Sequence, residues 1–343
     1  MGAIAVAPES RSTLFAAGIV RSTTPPHATS VIYRSRDAGH TWQLIRTAVV
    51  QPVNSPLLAV ASASTLYSAV FPCCLSKSTD GGETWIEIPP NAPPFYNALA
   101  LDPRSASTLY VAIGGVGIFE TTDGGISWDL ITRDLGFSGQ VISSVAIDPV
   151  SSNRVYATGA GNLYRTDDAG MTWQLLNRET SKMLWIAPET PSILFAQGID
   201  RGLRRSSDAG SSWTPIRDGL PQIVLQGNSG EVLAVVTEPA DPRVVYASTA
   251  DAGVFRSTDG GSTFSALNAD LLNLHVPSLA APANRDPLLY AATQAGVFDL
   301  RERDDILTVL PAVASLHGVP PTFFHSDVWL FNGSARNEVT VTA

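Results

Sequence analysis

Nearly the same eight residues recur six times along this 343-residue chain, in the pattern Ser/Thr-x-Asp-x-Gly-x-Ser/Thr-aromatic. The copies occupy residues 35–42, 78–85, 121–128, 166–173, 206–213 and 257–264. They end on Trp42, Trp85, Trp128, Trp173, Trp213 and Phe264. Their aspartates, Asp37, Asp80, Asp123, Asp168, Asp208 and Asp259, stand 43, 43, 45, 40 and 51 residues apart. A period of this length marks a repeat architecture, in which each unit buries its apolar faces against the next.

A longer phrase surrounds each copy. Around the fourth, residues 141–148 alternate into Val-Ala-Ile-Asp, then Pro149 and a polar turn lead to 154–158, Arg-Val-Tyr-Ala-Thr. A glycine-rich turn at 159–161 precedes 162–166, Asn-Leu-Tyr-Arg-Thr, and after the box residues 172–176 leave as a fourth run. Short alternating runs rich in β-branched and aromatic residues, bounded by Gly, Pro, Asp and Asn, read as strands. The first two strands of the phrase appear seven times, from 4–7 with 13–17 to 278–281 with 288–292. The seventh box has decayed, since 301–305 hold Asp304 and Asp305 but no glycine or tryptophan.

Four antiparallel strands per unit, repeated seven times, predict an all-β fold: a seven-bladed β-propeller over residues 1–310, whose radial closure limits exposed edges. Residues 311–343 fall outside the period. There 326–332 and 338–342 read as a β-hairpin around a turn at 333–337. A lone hairpin is marginal in water, so this segment is read as a linker and the start of a C-terminal β-sandwich-like domain.

Bulk composition narrows the partners. With 44% hydrophobic and 15% charged residues and a net charge of -9, the chain can fill a core but repels a phosphate backbone. No apolar stretch approaches the roughly 18 residues of a membrane span; the longest, 110–119, contains three glycines. Residues 1–20 lack a basic n-region and a continuous apolar core, and read as the opening strands of the first repeat rather than a signal peptide. The adjacent Cys73 and Cys74 are read as ordinary turn thiols. Sequence neighbours rarely reach disulfide geometry, and two thiols without histidine ligands do not make a zinc site. Neither a metal nor a cofactor is expected.

The box itself reads as scaffold. Its aspartate can accept hydrogen bonds from N–H groups just ahead, its glycine supplies a positive φ, and its aromatic residue can face the neighbouring blade. Calcium takes six to eight oxygen ligands, whereas each box offers one carboxylate apart from Asp167 and Asp168. Six equivalent acids around a perimeter cannot converge on one substrate. Basic residues precede most boxes (Arg34, Lys77, Arg165, Arg205, Arg256). They read either as a partner-contacting stripe or as solvated strand edges.

The motif Ser-x-Asp-x-Gly-x-Thr-Trp resembles the Asp-box, or BNR repeat, of bacterial sialidases, xyloglucanase-type glycoside hydrolases, sortilin-like receptor domains and photosystem II assembly factors. The resemblance spans residues 1–310 and implies a propeller with its boxes away from any functional site. Enzymes and non-catalytic binders both belong to that superfamily. Function is therefore sought on the opposite face, among the turns joining strands two and three and the links between blades.

A sialidase needs clustered arginines, a Tyr nucleophile beside a Glu, and an acid. The Phe-Arg-Ile-Pro signature is absent, and Arg21, Arg133, Arg178 and Arg201 are scattered. Xyloglucanase-type enzymes place one catalytic aspartate in an Asp-x-Gly-Gly turn. Asp200-Arg201-Gly202 and Asp251-Ala252-Gly253 match it in part, which makes Asp200 and Asp251 the candidate catalytic residues. The five histidines, His27, His40, His275, His317 and His325, are dispersed. The expectation is a monomeric, non-catalytic binding or interaction module of an exported bacterial protein, extracellular or periplasmic, taking a glycan or protein ligand. A glycoside hydrolase is the second reading and an assembly factor the third.

Overall fold

The computed structural model describes residues 2–300, leaving out 11, 22–27, 50–55, 71–73, 91–94, 133–140, 179, 189, 199, 222–229, 240, 269–270, 272, 283–288 and 294. Every element in it is a strand. Blade 1 comprises β1 (Ala3–Val6), β2 (Leu14–Arg21), β3 (Ala28–Ser35) and β4 (Gln43–Val49). Blade 2 is β5 (Leu57–Val60), β6 (Leu66–Val70), β7 (Cys74–Ser78) and β8 (Ile86–Glu87); blade 3 is β9 (Tyr96–Leu101), β10 (Leu109–Ile113), β11 (Gly117–Thr121) and β12 (Asp129–Leu130). Blade 4 is β13 (Ile142–Asp148), β14 (Ser151–Gly159), β15 (Asn162–Thr166) and β16 (Gln174–Asn177). Blade 5 is β17 (Thr180–Ile186), β18 (Leu194–Gly198), β19 (Leu203–Ser206) and β20 (Thr214–Pro215). Blade 6 is β21 (Val232–Glu238), β22 (Asp241–Thr249), β23 (Val254–Ser257) and β24 (Ser265–Ala266); blade 7 is β25 (Ser278–Ala280), β26 (Leu289–Thr293) and β27 (Gly296–Leu300).

Each blade is an antiparallel meander in chain order. The first strands, β1, β5, β9, β13, β17, β21 and β25, touch one another in succession, and β25 returns to β1. The fold is a seven-bladed β-propeller. The seventh outer strand and the hairpin read at 326–342 lie outside the described residues. Outer strands are shorter than the sequence suggests: β8, β12, β20 and β24 have two residues each. The box aromatic turns inward just before them, which leaves little chain to pair.

One position organises the core. The second strand of each blade carries an aromatic residue directly opposite the residue that precedes the box: Phe15↔Arg34, Tyr67↔Lys77, Tyr110↔Glu120, Tyr156↔Arg165, Phe195↔Arg205, Tyr246↔Arg256 and Tyr290↔Asp299. All seven aromatics are fully buried. Each of the six box aromatics shares an apolar cluster with the strand-two aromatic of the preceding blade: Trp42 with Tyr290, Trp85 with Phe15, Trp128 with Tyr67, Trp173 with Tyr110, Trp213 with Tyr156, Phe264 with Phe195. Burying one such side chain contributes roughly 1.5–3 kcal/mol. Tyr246 would face the seventh box, which has decayed, and packs instead with Leu267 and Leu271.

Blade 7 meets blade 1 through side chains. Ile4, Leu14 and Ala16 pack with Ala280, Tyr290 and Val297. The Ile4 N–H donates to Ser278 Oγ at 3.2 Å, and the Tyr290 hydroxyl donates to the Ala38 carbonyl at 3.3 Å. Among the described residues no strand crosses from one sheet to another. Because Phe195 joins this inter-blade ladder without a hydroxyl to satisfy, Phe195→Ala is expected to destabilise the fold by about 3–5 kcal/mol through lost transfer energy and the cavity left behind. Denaturant unfolding measures it.

Candidate functional site

The meander fixes which chain segments share a face. Turns between first and second strands, and the box turns, lie on one face; turns between second and third strands, and inter-blade links, lie on the other.

On the box face the six copies are the same hydrogen-bonded object. The aspartate Oδ1 accepts from the Ser/Thr hydroxyl two residues earlier at 2.6–2.8 Å. It also accepts from the backbone N–H four residues later at 2.8–3.0 Å. Oδ2 accepts from that later residue's hydroxyl at 2.5–2.7 Å. The first hydroxyl in turn accepts from the box glycine N–H at 2.8–2.9 Å. Glycine is required there: Gly82 has φ +94°, and a Cβ on it would run into Ile45. With both oxygens committed, the box carboxylates have little capacity left for a substrate or ion.

Three of the basic residues preceding the boxes reach into the next blade's box. Arg34 is buried and donates to the Gly81 carbonyl in the next blade's box at 2.7 Å, while pairing with Glu83 at 2.7 Å. Lys77 and Arg165 reach the equivalent carbonyls of Gly124 and Ala209, each at 3.4 Å. Glu120 replaces the cation in blade 3; there it accepts from the Tyr110 hydroxyl at 2.6 Å, and burial pushes its carboxyl up. A cleft of about 320 Å³ opens on this face beside Glu9, Thr13, Arg36, Ser64 and Asp80. Its Asp80 is already held by Ser78 and Thr84.

The opposite face holds both candidate acids. Asp200, in the β18–β19 turn, accepts from the Gly202 N–H at 3.3 Å and from Arg204 Nη2 at 3.4 Å. Asp251, in the β22–β23 turn, accepts from the Gly230 N–H at 2.9 Å and so ties its turn to the incoming link. Both are exposed, and they occupy the same turn in neighbouring blades. Arg201, between Asp200 and Gly202, has φ +63°, in the left-handed region that a non-glycine residue seldom adopts.

Around Asp251 the structure gathers residues that the sequence left dispersed. Glu231 accepts from Nε2 of buried Gln197 at 3.1 Å, and its carbonyl accepts from the Ala250 N–H at 2.9 Å. His275 Nδ1 lies 2.8 Å from the Ala250 carbonyl. A carbonyl only accepts, so Nδ1 carries the hydrogen and Nε2 of the neutral ring is left as an acceptor. Asn268 locks the same turn, donating to Ala252 O and accepting from the Val254 N–H, both at 2.7 Å. Glu231 and His275 thus both meet the backbone of Ala250, next to Asp251. Glu231 comes from the link into blade 6 and His275 from the link out of it, so their spacing along the chain carried no signal.

Among the described residues no group of three or more His, Cys, Asp or Glu side chains is placed to hold a metal ion. No helix is long and apolar enough to cross a membrane. The thiol reading is corrected: Cys74 is disulfide-bonded. Cys73 lies outside the described residues. His27 and Arg133 also lie outside them.

The box geometry sets an acid limit. Asp80 and Asp208 are drawn from the usual 3.8 to about 2, first by the Thr84 and Ser212 hydroxyls and then by backbone N–H donors. Asp168 falls equally far, first through the Thr166 hydroxyl. A carboxyl whose pKa is lowered by folding stabilises the fold above its unfolded pKa and ceases to do so as pH falls through its folded one. The melting temperature should therefore hold steady from neutrality to about pH 5 and fall between about pH 4 and pH 2. Asp208→Asn should melt lower than the parent at neutral pH, with the gap closing near the acid end. Thermal scans across pH decide it.

No protein-family model matches the chain. A xyloglucanase of Hypocrea jecorina is 32% identical over 103 residues, which is 30% of this chain and 11% of that protein. Among solved structures, the GH74 xyloglucanase from Xanthomonas campestris superposes with a TM-score of 0.69 at 17% identity, over 87% of this chain and 51% of its own. YCF48 from Cyanidioschyzon merolae gives 0.56 at 18% identity, over 80% and 92%. YCF48 bound to D1 peptide gives 0.57 at 16% identity, over 81% and 85%. The chain thus spans about half the length of the Xanthomonas enzyme and about a tenth of the Hypocrea one. At these identities the likeness is one of fold, and the chain is a seven-bladed β-propeller of the kind found in GH74 xyloglucanases and YCF48.

Proposed function

We propose that the chain is a non-catalytic binding module that takes a glycan or protein ligand on the face opposite the boxes. The observation that carries this reading is the state of the carboxylates. Six are occupied within their own box turns. Asp200 and Asp251 each brace a turn, through the Gly202 and Gly230 N–H groups. A glycosidase needs two carboxyl groups facing each other across the scissile bond. The YCF48 complex with D1 peptide lends support to a polypeptide ligand on this fold. The Cys74 disulfide supports an exported protein, since such bonds persist in oxidising compartments.

The second reading, a xyloglucan-type glycoside hydrolase, is favoured by the likeness to GH74 enzymes and by the short match to the Hypocrea protein. One experiment separates the two: the purified protein is tested on a glycan array and against a glycosidase panel that includes xyloglucan. The binding-module reading expects no release of reducing sugar, and glycan binding that persists in Asp200→Ala and Asp251→Ala. Xyloglucan hydrolysis abolished by either substitution would overturn it in favour of the enzyme.

A further inference from the structure

The tips of the box turns are polar in four blades and apolar in two. The residue after the box glycine is His40, Glu83, Ser211 and Ser262 in blades 1, 2, 5 and 6, but Ile126 in blade 3 and Met171 in blade 4. At 88% and 85%, these are the two most exposed large apolar side chains among the described residues. The turn between first and second strands shows the same exchange. Where blades 1 and 3 carry Glu9 and Arg104, blade 4 carries Val150, 59% exposed.

All three side chains stand on one arc of the box face. Arg104 Nη1 donates to the Val150 carbonyl at 2.8 Å, which joins the first turn of blade 3 to that of blade 4. Each box is tied to its own blade's first turn, through Gly124 N–H to the Ser107 carbonyl at 2.8 Å and Ala169 N–H to the Asn153 carbonyl at 2.9 Å. The Ile126 backbone is fixed as well, its N–H donating to Asp123 Oδ1 at 2.9 Å. None of the three side chains enters the apolar clusters of blades 3 to 5. They do not serve the propeller's own core. Exposed apolar side chains grouped among polar ones mark an interaction surface.

We propose that this patch seats residues 323–331 of the same chain, which lie outside the described residues. Area argues for a tethered occupant. Three side chains fall far short of the roughly 1,200–2,000 Å² that separate proteins bury in a stable complex. A linked segment needs less, because its tether supplies an effective concentration on the order of a millimolar. Direction agrees: third strands run toward the box face, so β27 delivers the chain to that face at Leu300. The chain continues for 43 residues beyond it, and Phe323, Phe324, Val328, Trp329, Leu330 and Phe331 crowd into nine of them. Reach is sufficient. The 23 residues from Leu300 to Phe323 extend to about 75 Å, and a compact domain of this size is roughly 50 Å across. The loop face is left open for its ligand, and neither proposal depends on the other.

The test uses the full chain with the photo-cross-linker p-benzoylphenylalanine in place of Met171, and maps the products by mass spectrometry. Cross-links within one chain to residues 323–331 are expected. The same probe in place of Ser211, the matching tip of blade 5, should give about fivefold less product or lower. The variant Ile126→Ser/Val150→Ser should cut the product at position 171 by a similar factor and speed hydrogen exchange in 323–331. If that pair lowers the melting temperature, Ile126→Ser alone reports in its place, since serine already occupies this tip in blades 5 and 6. No product from 323–331, or an equal yield from the probe at position 211, overturns the proposal. Products that join two chains also overturn it, and assign the patch to a second copy.

Discussion

A four-stranded sheet with two apolar faces can bury them only against the sheets on either side. Everything else in this protein follows from meeting that condition seven times around a circle. The strand-two aromatics fill the gap between neighbours, and the box aromatics reach back across it. Hydrogen-bonded aspartates hold those reaching turns in shape, and basic residues such as Arg34 clamp one blade to the next box. Each device acts between blades or at the turn that aims it. Six aspartates at one repeated position therefore say more about circumference than about chemistry.

The same condition explains what could be read from the chain. Blade number and strand order were legible because the box and its flanking strands repeat in phase. The aspartate's role was legible too, since donor and acceptor lie within four residues of each other. The ladder Phe15, Tyr67, Tyr110, Tyr156, Phe195, Tyr246 and Tyr290 was present in the sequence as a Leu/Val-aromatic pair in every second strand, but its meaning rests on a partner in another blade. Arg34 illustrates the limit: a charge before a turn looks solvated until the next blade closes over it. Glu231 and His275 reach the turn beside Asp251 through links of different lengths, and no spacing announces them. Cys74 went the other way: read as a free thiol, it is disulfide-bonded.

The two faces divide labour accordingly. Box-face turns are interlocked and nearly identical, so they hold the ring in register and present little that varies. Loop-face turns differ from blade to blade in length, charge and backbone conformation, as Arg201 and the knot around Asp251 illustrate. Variation confined to one rim of a rigid ring is how a fold shared by hydrolases and binders can carry either task without altering its frame. The outer strands of blade 1 are longer than those of the other blades.

The junction between blades 7 and 1 differs in kind from the other six. Elsewhere the polypeptide runs on from one blade to the next; there the described contact is an apolar patch around Ile4, Ala280 and Tyr290 with two hydrogen bonds beside it. A substitution that thins this patch would loosen the contact between blades 7 and 1 without touching any blade's own hydrogen-bonded ladder.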